Sequence, residues 1–338
     1  MRKYMSNILE VNDLEITFSG DGGKQISVDQ ISFHIEKGEI LCIVGESGCG
    51  KSVTSLALMG LLGKGGRVTG GHAQFEGKDL FAMGEKELDQ IRGNRIAMIF
   101  QDPLTSLNPV FTIGNQITES IRVHMGVGKE EARERARILL ERVGLSPAAS
   151  VMKKYPHLLS GGMRQRVMIA MALSCNPSLL IADEPTTALD VTIQAQIMDL
   201  LLELRQELGM AVLLITHDMG LVARMADRVM VMYAGRIVEE APVFELFDHP
   251  SHPYTRALLQ SVPSMEDPEG RTLASIGGIV PEHYDRIAGC RFFGRCPYAE
   301  EECKKPQKEF MVGEGHMVRC LRGKEAAFDE GKQKNPFA

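Results

Sequence analysis

The stretch GEILCIVGESGCGKSVTSLALMGLL, residues 38–62, decides the fold. It begins with a continuous apolar run of strand length, Ile40–Val44, passes through a glycine-rich loop, and ends in a helical pattern. Residues Gly45–Ser52 match G-x-x-x-x-G-K-[ST], and strand, loop and helix are the order that this motif requires. The stretch therefore predicts an α/β fold with a phosphate-binding loop at the end of a buried strand.

The residue types of this loop suit a phosphate group. Glycines let the backbone close round an anion with its N–H groups pointing inward, and the following helix adds its positive N-terminus. Lys51 can contact the β- and γ-phosphates of a nucleotide, and the Ser52 hydroxyl can ligate Mg²⁺. The alternative, a tight glycine turn with a solvated lysine, is disfavoured by the flanking strand and helix. The nucleotide-binding residues predicted here are Gly45, Ser47, Gly48, Cys49, Gly50, Lys51, Ser52 and Val53, with no role for the Cys49 side chain.

Polar side chains follow three further apolar runs. SLLIADEP ends a strand at Asp183 and Glu184, MAVLLITHD ends one at His217, and RIAMIFQDP ends one at Gln101. Ligands of parallel sheets gather beyond the carboxyl ends of the strands. Asp183 can then hold Mg²⁺, and Glu184 can orient or deprotonate the attacking water. His217 would point at the γ-phosphate, and the Gln101 amide would reach Mg²⁺ or the water. Asp183 and Glu184 alone could be an ordinary exposed strand end, but the phosphate loop disfavours that interpretation. His217 alone would be an ordinary surface or core histidine, but its equivalent position at the end of a parallel strand argues otherwise.

A second anion site is predicted in LLSGGMRQRVMIAMAL. Ser160, Gly161 and Gly162 precede an apolar helix, which again combines a backbone nest with a helix N-terminus. An N-capped helix after a glycine turn would explain Ser160 but not the whole set of motifs.

Together with ALD at residues 188–190, the spacing of these motifs resembles that of the nucleotide-binding subunits of ABC transporters, over about residues 8–240. The resemblance implies an ABC-type ATPase with a RecA-like core, an antiparallel β subdomain and a helical subdomain. It places the nucleotide-binding domain at residues 1–240 and a helical insert at about 102–164.

The resemblance also implies roles for individual residues. Lys51, Ser52, Gln101 and Asp183 would serve ATP and Mg²⁺, with Ser52, Gln101 and Asp183 as the metal ligands. Glu184 would be the catalytic carboxylate and His217 the γ-phosphate sensor, with Gln101 also in the catalytic set. The residues that would contact ATP or the dimer interface from other positions are Ser160, Gly161 and Gly162, which face the partner's ATP; Asp190, on the interface loop; and Phe18, which would stack on adenine unless it is an ordinary strand-end phenylalanine.

Two stretches in the predicted insert have helical patterns, LNPVFTIGNQITESIRVHM and KEEARERARILLERVGL. The charged face of the second is interpreted as solvated. The first, with Phe111, Ile113 and Ile117, resembles the surface that receives a coupling helix from a membrane permease.

The character of the chain changes near residue 241, where Pro, Gly and His accumulate. HPSHPYTRALLQSVPS and the cysteine-rich segment after it resemble the oligopeptide/dipeptide branch of ABC importers, so residues 241–338 form a predicted C-terminal extension. The resemblance implies import of peptides, or of nickel and other metal chelates. It also implies a second, unlike ATPase subunit, two permeases, an extracytoplasmic binding protein, and a peripheral position on the cytoplasmic face of the membrane.

Four of the seven cysteines lie in this extension, with five, six and sixteen residues between successive members: Cys290, Cys296, Cys303 and Cys320. Disulfides are disfavoured in a reducing cytosol, and the closely spaced pairs usual for zinc are missing. Four thiolates on wider loops favour a structural [4Fe–4S] cluster, with Zn²⁺ as the alternative. Arginines beside the cysteines would offset the negative centre: Arg291, Arg295 and Arg319.

The composition limits the classes of protein to which the chain can belong. Of the 338 residues, 44% are apolar, which is enough for a large core, and the net charge of −6 argues against a nucleic-acid partner. No run approaches the ~20 apolar residues of a membrane span. A soluble, non-transport ABC ATPase remains the alternative, although each motif occurs only once here. A weaker alternative is a redox sensor, which would require the cysteine centre to change oxidation state together with ATP turnover.

Overall fold

The computed structural model describes residues 7–20, 23–102, 106–186, 189–261 and 276–324. Its contacts divide the chain into two compact units. The first unit takes the described parts of 1–10, 34–40 and 74–215, and the second takes those of 11–33, 41–73 and 216–338. The units are assembled from separate chain segments, so the boundary near residue 241 and the limits of the insert stay predictions.

The strands in the described ranges are β1 (Asn7–Gly20), β2 (Gly23–Glu36), β3 (Ile40–Val44), β4 (Gly66–Phe75), β5 (Lys78–Asp79), β6 (Ile96–Ile99), β7 (Leu179–Asp183), β8 (Ala211–Thr216), β9 (Arg228–Tyr233), β10 (Arg236–Pro242), β11 (Phe310–Gly313) and β12 (His316–Val318). The α-helices there are α1 (Lys51–Leu58), α2 (Glu85–Ile91), α3 (Ile113–Met125), α4 (Lys129–Arg142), α5 (Ala148–Val151), α6 (Gly161–Leu173), α7 (Val191–Leu208), α8 (Met219–Met225), α9 (Val243–Asp248) and α10 (Pro253–Gln260). Among these helices, none is both long enough and apolar enough to cross a membrane.

The first unit contains three neighbouring parallel strands in the order β8-β7-β6. Every residue of β7 and β8 is buried, which explains why these strands read as continuous apolar runs rather than as alternating patterns. The predicted strands before Gln101 and before Asp183-Glu184 are confirmed. Because the strands are parallel, the carboxyl ends of β6 and β7 lie at the same edge.

Both stretches that were predicted to be helical form helices in the first unit, α3 and α4. α4 buries a stripe of Ala132, Ala136 and Leu140 and carries ion pairs such as Arg135–Glu131 on its exposed side, as its charge pattern predicts. The prediction that Phe111, Ile113 and Ile117 form a permease-binding surface is wrong for the two isoleucines. Ile113 and Ile117 are 0% exposed because they form the core face of the helix, whereas Phe111, which precedes the helix, is 49% exposed.

The second unit contains the order β11-β12-β10-β9-β3. β3 is parallel to β9, with Cys42 opposite Val229, and β10 is antiparallel to β9. The chain returns at β12 to pair antiparallel with β10, with Val318 opposite Glu239. In the same unit β1 lies between β2 and β4. The predicted extension therefore adds strands to the sheet that carries the phosphate loop.

Aromatic side chains attach the cysteine-rich segment to β9. The rings of Tyr233 and Tyr254 are 4.6 Å apart, and Phe292 lies 5.2 Å from the first and 5.4 Å from the second. All three are buried to within 1%. Tilted and edge-on rings at such distances stabilise beyond their buried area. The cysteine-rich segment has too few apolar residues to form a core of its own. The shared aromatic core therefore holds it against β9.

A buried carboxylate joins three parts of the second unit. Glu239 of β10 is 0% exposed, and its oxygens accept hydrogen bonds from the N–H groups of Ser251, at 2.5 Å, and His252, at 2.9 Å. His316 of β12 places Nε2 2.8 Å from the same carboxylate. Burial alone would lower the pKa of His316, but hydrogen bonds and charge from Glu239 and Glu245 outweigh it and raise the pKa. His252 differs, since burial lowers its pKa to about 4 despite Glu239.

We predict a stability difference that depends on pH between the wild type and His316→Gln, whose amide can donate to Glu239 but cannot titrate. Because the folded-state pKa of His316 is raised, its protonated form stabilises the fold fully below the unfolded-state pKa of about 6.5. This stabilisation is lost as the pH rises through the folded-state pKa. The thermal midpoint of the wild type should exceed that of the variant at pH ~6, and the gap should shrink by pH ~9. The exposed His249→Gln is the control. A gap that stays constant across this range would contradict the prediction.

Candidate active site

The phosphate loop runs from the end of β3 to the start of α1, as predicted. Gly45 has φ of 152°, and a Cβ there would lie 2.1 Å from the carbonyl oxygen of Met232 in β9. Gly50 has φ of 104° and would bring a Cβ within 3.0 Å of the Ser27 carbonyl oxygen. Only glycine fits at these two positions, because the neighbouring backbone occupies the space of a side chain.

Lys51 turns its side chain into the loop. It is 5% exposed, and Nζ donates to the carbonyl oxygens of Gly45 at 2.7 Å and Glu46 at 3.0 Å. A buried ammonium group held at the first turn of α1 is suited to a phosphate. Burial raises the pKa of the Cys49 thiol. Ser52 and Val53 are half-buried in the same turn.

A cleft of about 550 Å³ opens beside this loop in the second unit. Its walls include Phe18, Ser47 and Gly48, together with residues 280–284 of the C-terminal part of the chain. The Tyr284 hydroxyl donates to the Ser27 carbonyl at 3.0 Å and fixes that wall. Sequence reasoning predicted Phe18 but missed 280–284. No local pattern reveals a contact between residues 257 positions apart.

The carboxylate pair lies where the sequence predicts. Asp183 is the last residue of β7 and is 5% exposed. Glu184 follows with φ of 45°, a left-handed conformation that costs of the order of 1–3 kcal/mol in a non-glycine residue and that gathers at active sites. The N–H of Glu184 donates to Ile215 at 2.9 Å, and the Gln101 amide donates to the Glu184 carboxylate at 3.1 Å. The structure thus brings Gln101 and Glu184 together.

Gln165 was missed by the sequence analysis. It is 2% exposed on α6, and its amide donates to the Pro185 carbonyl, one residue beyond Glu184. The sequence feature that could have identified it is a glutamine on the apolar side of a predicted helix. Its hydrogen bond supports the backbone that holds Glu184 in its left-handed conformation.

The Ser-Gly-Gly motif begins α6. The Ser160 hydroxyl accepts a hydrogen bond from the Met163 N–H at 3.3 Å, so it is an N-cap in this chain. A Cβ on Gly162 would lie 3.0 Å from Ile193, so that glycine permits close packing. Gly161 is exposed, and a Cβ there would meet Leu189 at an ordinary 3.8 Å. Packing in this chain therefore does not require glycine at position 161.

The remaining motif residues end or begin helices and strands. Asp190 is exposed and caps α7 by accepting from the Ile193 N–H at 2.9 Å. Its predicted partner in the motif, Ala188, lies outside the described residues. His217 is exposed and directly follows β8, while Asp218 caps α8. The predicted Mg²⁺ ligands offer a hydroxyl, an amide and a carboxylate oxygen, and hard oxygen donors of this kind fit Mg²⁺.

The four tail cysteines are free thiols and half-buried. Burial raises the pKa of Cys296 to about 12 and that of Cys320 to about 11, and electrostatic repulsion from neighbouring cysteines adds to both shifts. Cys290 donates its N–H to the Cys303 carbonyl at 2.8 Å. The donor set fits a soft metal or an iron–sulfur cluster. However, nowhere in the described ranges do three or more His, Cys, Asp or Glu side chains form a group that could hold a metal ion. The predicted cluster is therefore not supported by the geometry.

The arginines beside these cysteines have other partners. Arg291 donates to Asp29 of β2 and to the Ala234 carbonyl, and Arg319 pairs with Glu309. Arg295 pairs with Glu46 of the phosphate loop at 2.6 Å, and this hydrogen-bonded pair raises the pKa of Arg295. The prediction that these guanidinium groups offset the thiolates is thus not what the structure shows.

Two family models match the chain. The model for ABC transporters matches residues 28–187, and the model for the C-terminal region of oligopeptide/dipeptide transporters matches 238–303. The oligopeptide transport ATP-binding protein AppD of Bacillus subtilis is 53% identical over 94% of this chain and 97% of its own length. The dipeptide transport ATP-binding protein DppD of Escherichia coli is 51% identical over 93% of this chain and 96% of its own length.

Solved structures of ATP-binding cassettes are also similar to this chain. A dimeric ATP-binding cassette in a post-hydrolysis state with ADP and phosphate is 28% identical, with a TM-score of 0.63, and covers 70% of this chain and 98% of its own. A cassette from Clostridium perfringens, part of the CbiONQ transporter complex, is 31% identical with a TM-score of 0.61, covering 72% of this chain and 91% of its own.

Proposed function

Because the chain belongs to the ATP-binding subunits of oligopeptide and dipeptide ABC transporters, we propose that it hydrolyses ATP to power import of di- or oligopeptides, or of nickel and other metal chelates, through a membrane permease. The observation that carries the ATPase assignment is the glycine loop closed on β9 with the Lys51 ammonium group turned into it. The C-terminal match over 238–303 favours the importer over a soluble, non-transport ABC ATPase.

In this proposal the predicted nucleotide-binding residues of the loop, Gly45 and residues 47–53, bind the phosphates, and Lys51 contacts the β- and γ-phosphates. Phe18, in the wall of the 550 Å³ cleft, stacks on adenine. Ser52, Gln101 and Asp183 would hold Mg²⁺, which when bound neutralises charge on the phosphates. These assignments follow the family motifs, with residues 1–240 as the nucleotide-binding domain.

Glu184 acts as the base in the hydrolysis step. Its carboxylate, hydrogen-bonded to Gln101, orients the attacking water and accepts its proton, while His217 contacts the γ-phosphate. The left-handed backbone at Glu184 aims the side chain, and Gln165 secures the following peptide. Pre-organised donors and acceptors of this kind lower the barrier without reorganisation during the reaction.

Assembly completes the site. Ser160, Gly161 and Gly162 would contact ATP held by a second, unlike ATPase subunit, and Asp190 would lie on the loop at that interface. The dimeric cassette relative supports a two-cassette arrangement. Two permeases and an extracytoplasmic binding protein would complete the importer, with this subunit peripheral on the cytoplasmic face. The net charge of −6 argues against nucleic acid as a partner.

A cleft in the first unit is the proposed permease contact. It measures about 650 Å³ and combines the exposed Phe111 with polar and charged side chains of α3 and α4, including Arg122 and Lys129. Val110 beside it is 70% exposed. An apolar lip on a polar cleft suits an amphipathic coupling helix, which buries its apolar face against the lip.

For the four tail cysteines we retain the proposal of one [4Fe–4S] cluster with a structural role, and Zn²⁺ as the alternative. Its support is the donor chemistry: four unpaired thiols that interact electrostatically with one another in a segment of chain attached to β9. Ligation by Cys290, Cys296, Cys303 and Cys320 would supply folding energy to the predicted extension, residues 241–338.

Replacing Glu184 by Gln tests the ATPase mechanism. The change keeps the shape and the hydrogen bond with Gln101 but removes the base. Turnover of the assembled complex should fall by ~10²–10⁴, while calorimetry should find ATP binding retained. Wild-type turnover, measured with the partner subunit inactivated, would rule out Glu184 as the base.

Replacing Gly161 by Ala tests the composite site. The added methyl meets only an ordinary contact at Leu189, so the thermal midpoint and ATP binding by the isolated chain should stay at wild-type values. Turnover in the complex should drop by at least ~10-fold, because the methyl would stand against the partner's nucleotide. Gly162→Ala is the comparison, since its methyl presses on Ile193 at 3.0 Å and should lower stability as well. Full turnover in the folded Gly161→Ala complex would contradict the assignment.

Anaerobic purification followed by metal analysis tests the cysteine proposal. We expect about four irons per chain with broad visible absorption. Cys296→Ser should lose the iron and become more sensitive to proteolysis within residues 285–322, while Cys175→Ser, a buried cysteine outside the segment, should keep it. One zinc per chain in colourless protein would replace the cluster by the alternative, and protein without either metal would remove both.

A further inference from the structure

A single arginine links the cysteine-rich segment to the phosphate loop. Arg295, one residue before Cys296, points both terminal nitrogens at the Glu46 carboxylate, at 2.6 and 2.9 Å. Glu46 occupies the first variable position of the loop motif, directly after Gly45. A two-pronged guanidinium–carboxylate pair combines charge with a fixed geometry.

The contact is sheltered. The Arg295 side chain is 7% exposed and that of Glu46 is 29% exposed, so water screens the pair less than it screens a surface ion pair. Arg295 also donates to the Tyr233 hydroxyl at 3.2 Å and to the Gly277 carbonyl at 2.8 Å. These bonds tie the guanidinium to the end of β9 and to the chain that leads into the cleft wall at residues 280–284.

The backbone of Glu46 is held from the same side. Its N–H donates to the Tyr254 hydroxyl at 2.8 Å, and Tyr254 belongs to the aromatic core shared with Phe292. Both the main chain and the side chain of this loop residue are therefore fixed by residues beyond position 253.

The charge of Glu46 matters because of what the loop would bind. A carboxylate in the loop repels the multiply charged phosphates of a nucleotide, and the repulsion is strong where water is partly excluded. Arg295 neutralises this carboxylate and holds it on the side of the loop where Tyr233 and Gly277 bind the same guanidinium group. The pair is thus placed to affect affinity for any polyphosphate, whatever base it carries.

We propose that Arg295 is a positioning residue for nucleotide binding: it neutralises and orients Glu46, so that the C-terminal extension sets the affinity of the phosphate loop. The inference rests on the proposed role of that loop as the ATP site. It assigns to this part of the chain a role in ATP binding that does not depend on whether the cysteines hold a metal.

The test measures dissociation constants of Mg·ATP and of inorganic tripolyphosphate for the full-length chain by calorimetry. Arg295→Met should weaken both ligands by about tenfold, which is the loss expected for a charge-assisted interaction. Glu46→Gln alone should stay within about twofold of the wild type, and adding it to Arg295→Met should restore most of the lost affinity, because the unneutralised charge is then gone. Arg295→Lys keeps the charge but not the fork and should be intermediate.

The matched control is Arg319→Met, which removes another arginine beside a cysteine, one that pairs with Glu309 instead of the loop. It should bind both ligands as the wild type does. Wild-type affinity in Arg295→Met would overturn the proposal, as would failure of Glu46→Gln to restore a folded Arg295→Met, since a purely structural arginine would behave in that way. If Arg295→Met does not fold, Arg295→Lys with and without Glu46→Gln decides by the same comparison. Lys51→Ala separates the two proposals: unchanged affinity in that variant would reject the loop itself as the ATP site.

Discussion

The close approach of two backbones, at Gly45 and Met232, is the constraint on which the phosphate loop depends. A side chain at position 45 would fall 2.1 Å from the Met232 carbonyl oxygen, so the loop lies directly on the end of β9. From there the Gly235 N–H donates to the Cys49 carbonyl, and the Asp29 N–H donates to Gly235, each at 2.9 Å. The loop, the turn after β9 and strand β2 are therefore one hydrogen-bonded assembly.

The C-terminal part of the chain is built onto the same assembly. Tyr233 at the end of β9 contacts Tyr254 and Phe292, and Arg291 reaches Asp29 of β2. The cysteine-rich segment has few apolar residues of its own, and it obtains a core by packing Phe292 against the aromatic rings of β9 and α10. These contacts therefore anchor the extension whether or not its cysteines hold a metal.

The local parts of the site were predictable, whereas its supports were not. The strand before the loop, Asp183-Glu184 after β7 and Gln101 after β6 follow from apolar runs with polar ends, which are properties of contiguous sequence. The Arg295–Glu46 pair joins positions 249 apart, and nothing local marks either residue as a partner. Ile113 and Ile117 were misread as surface because a helix's buried face depends on what packs against it. For the four cysteines, in contrast, the sequence predicted a site that the geometry does not support. Their spacing suggested a ligand set, but spacing does not determine where the sulfur atoms point.

The pairing of β12 with β10 has a consequence for how the protein is made. Residues 316–318 are among the last described positions, yet they complete the edge of a strand whose Glu239 is fully buried. While the chain is still emerging from the ribosome, that edge and that carboxylate lack their C-terminal partners. Open strand edges invite pairing with other chains, and Glu239 would lack the hydrogen bond to His316 that it has in the complete fold. Termination between residues 242 and 316 would therefore leave more than a missing tail: it would leave β10 without β12 and with an open edge that invites pairing with other chains.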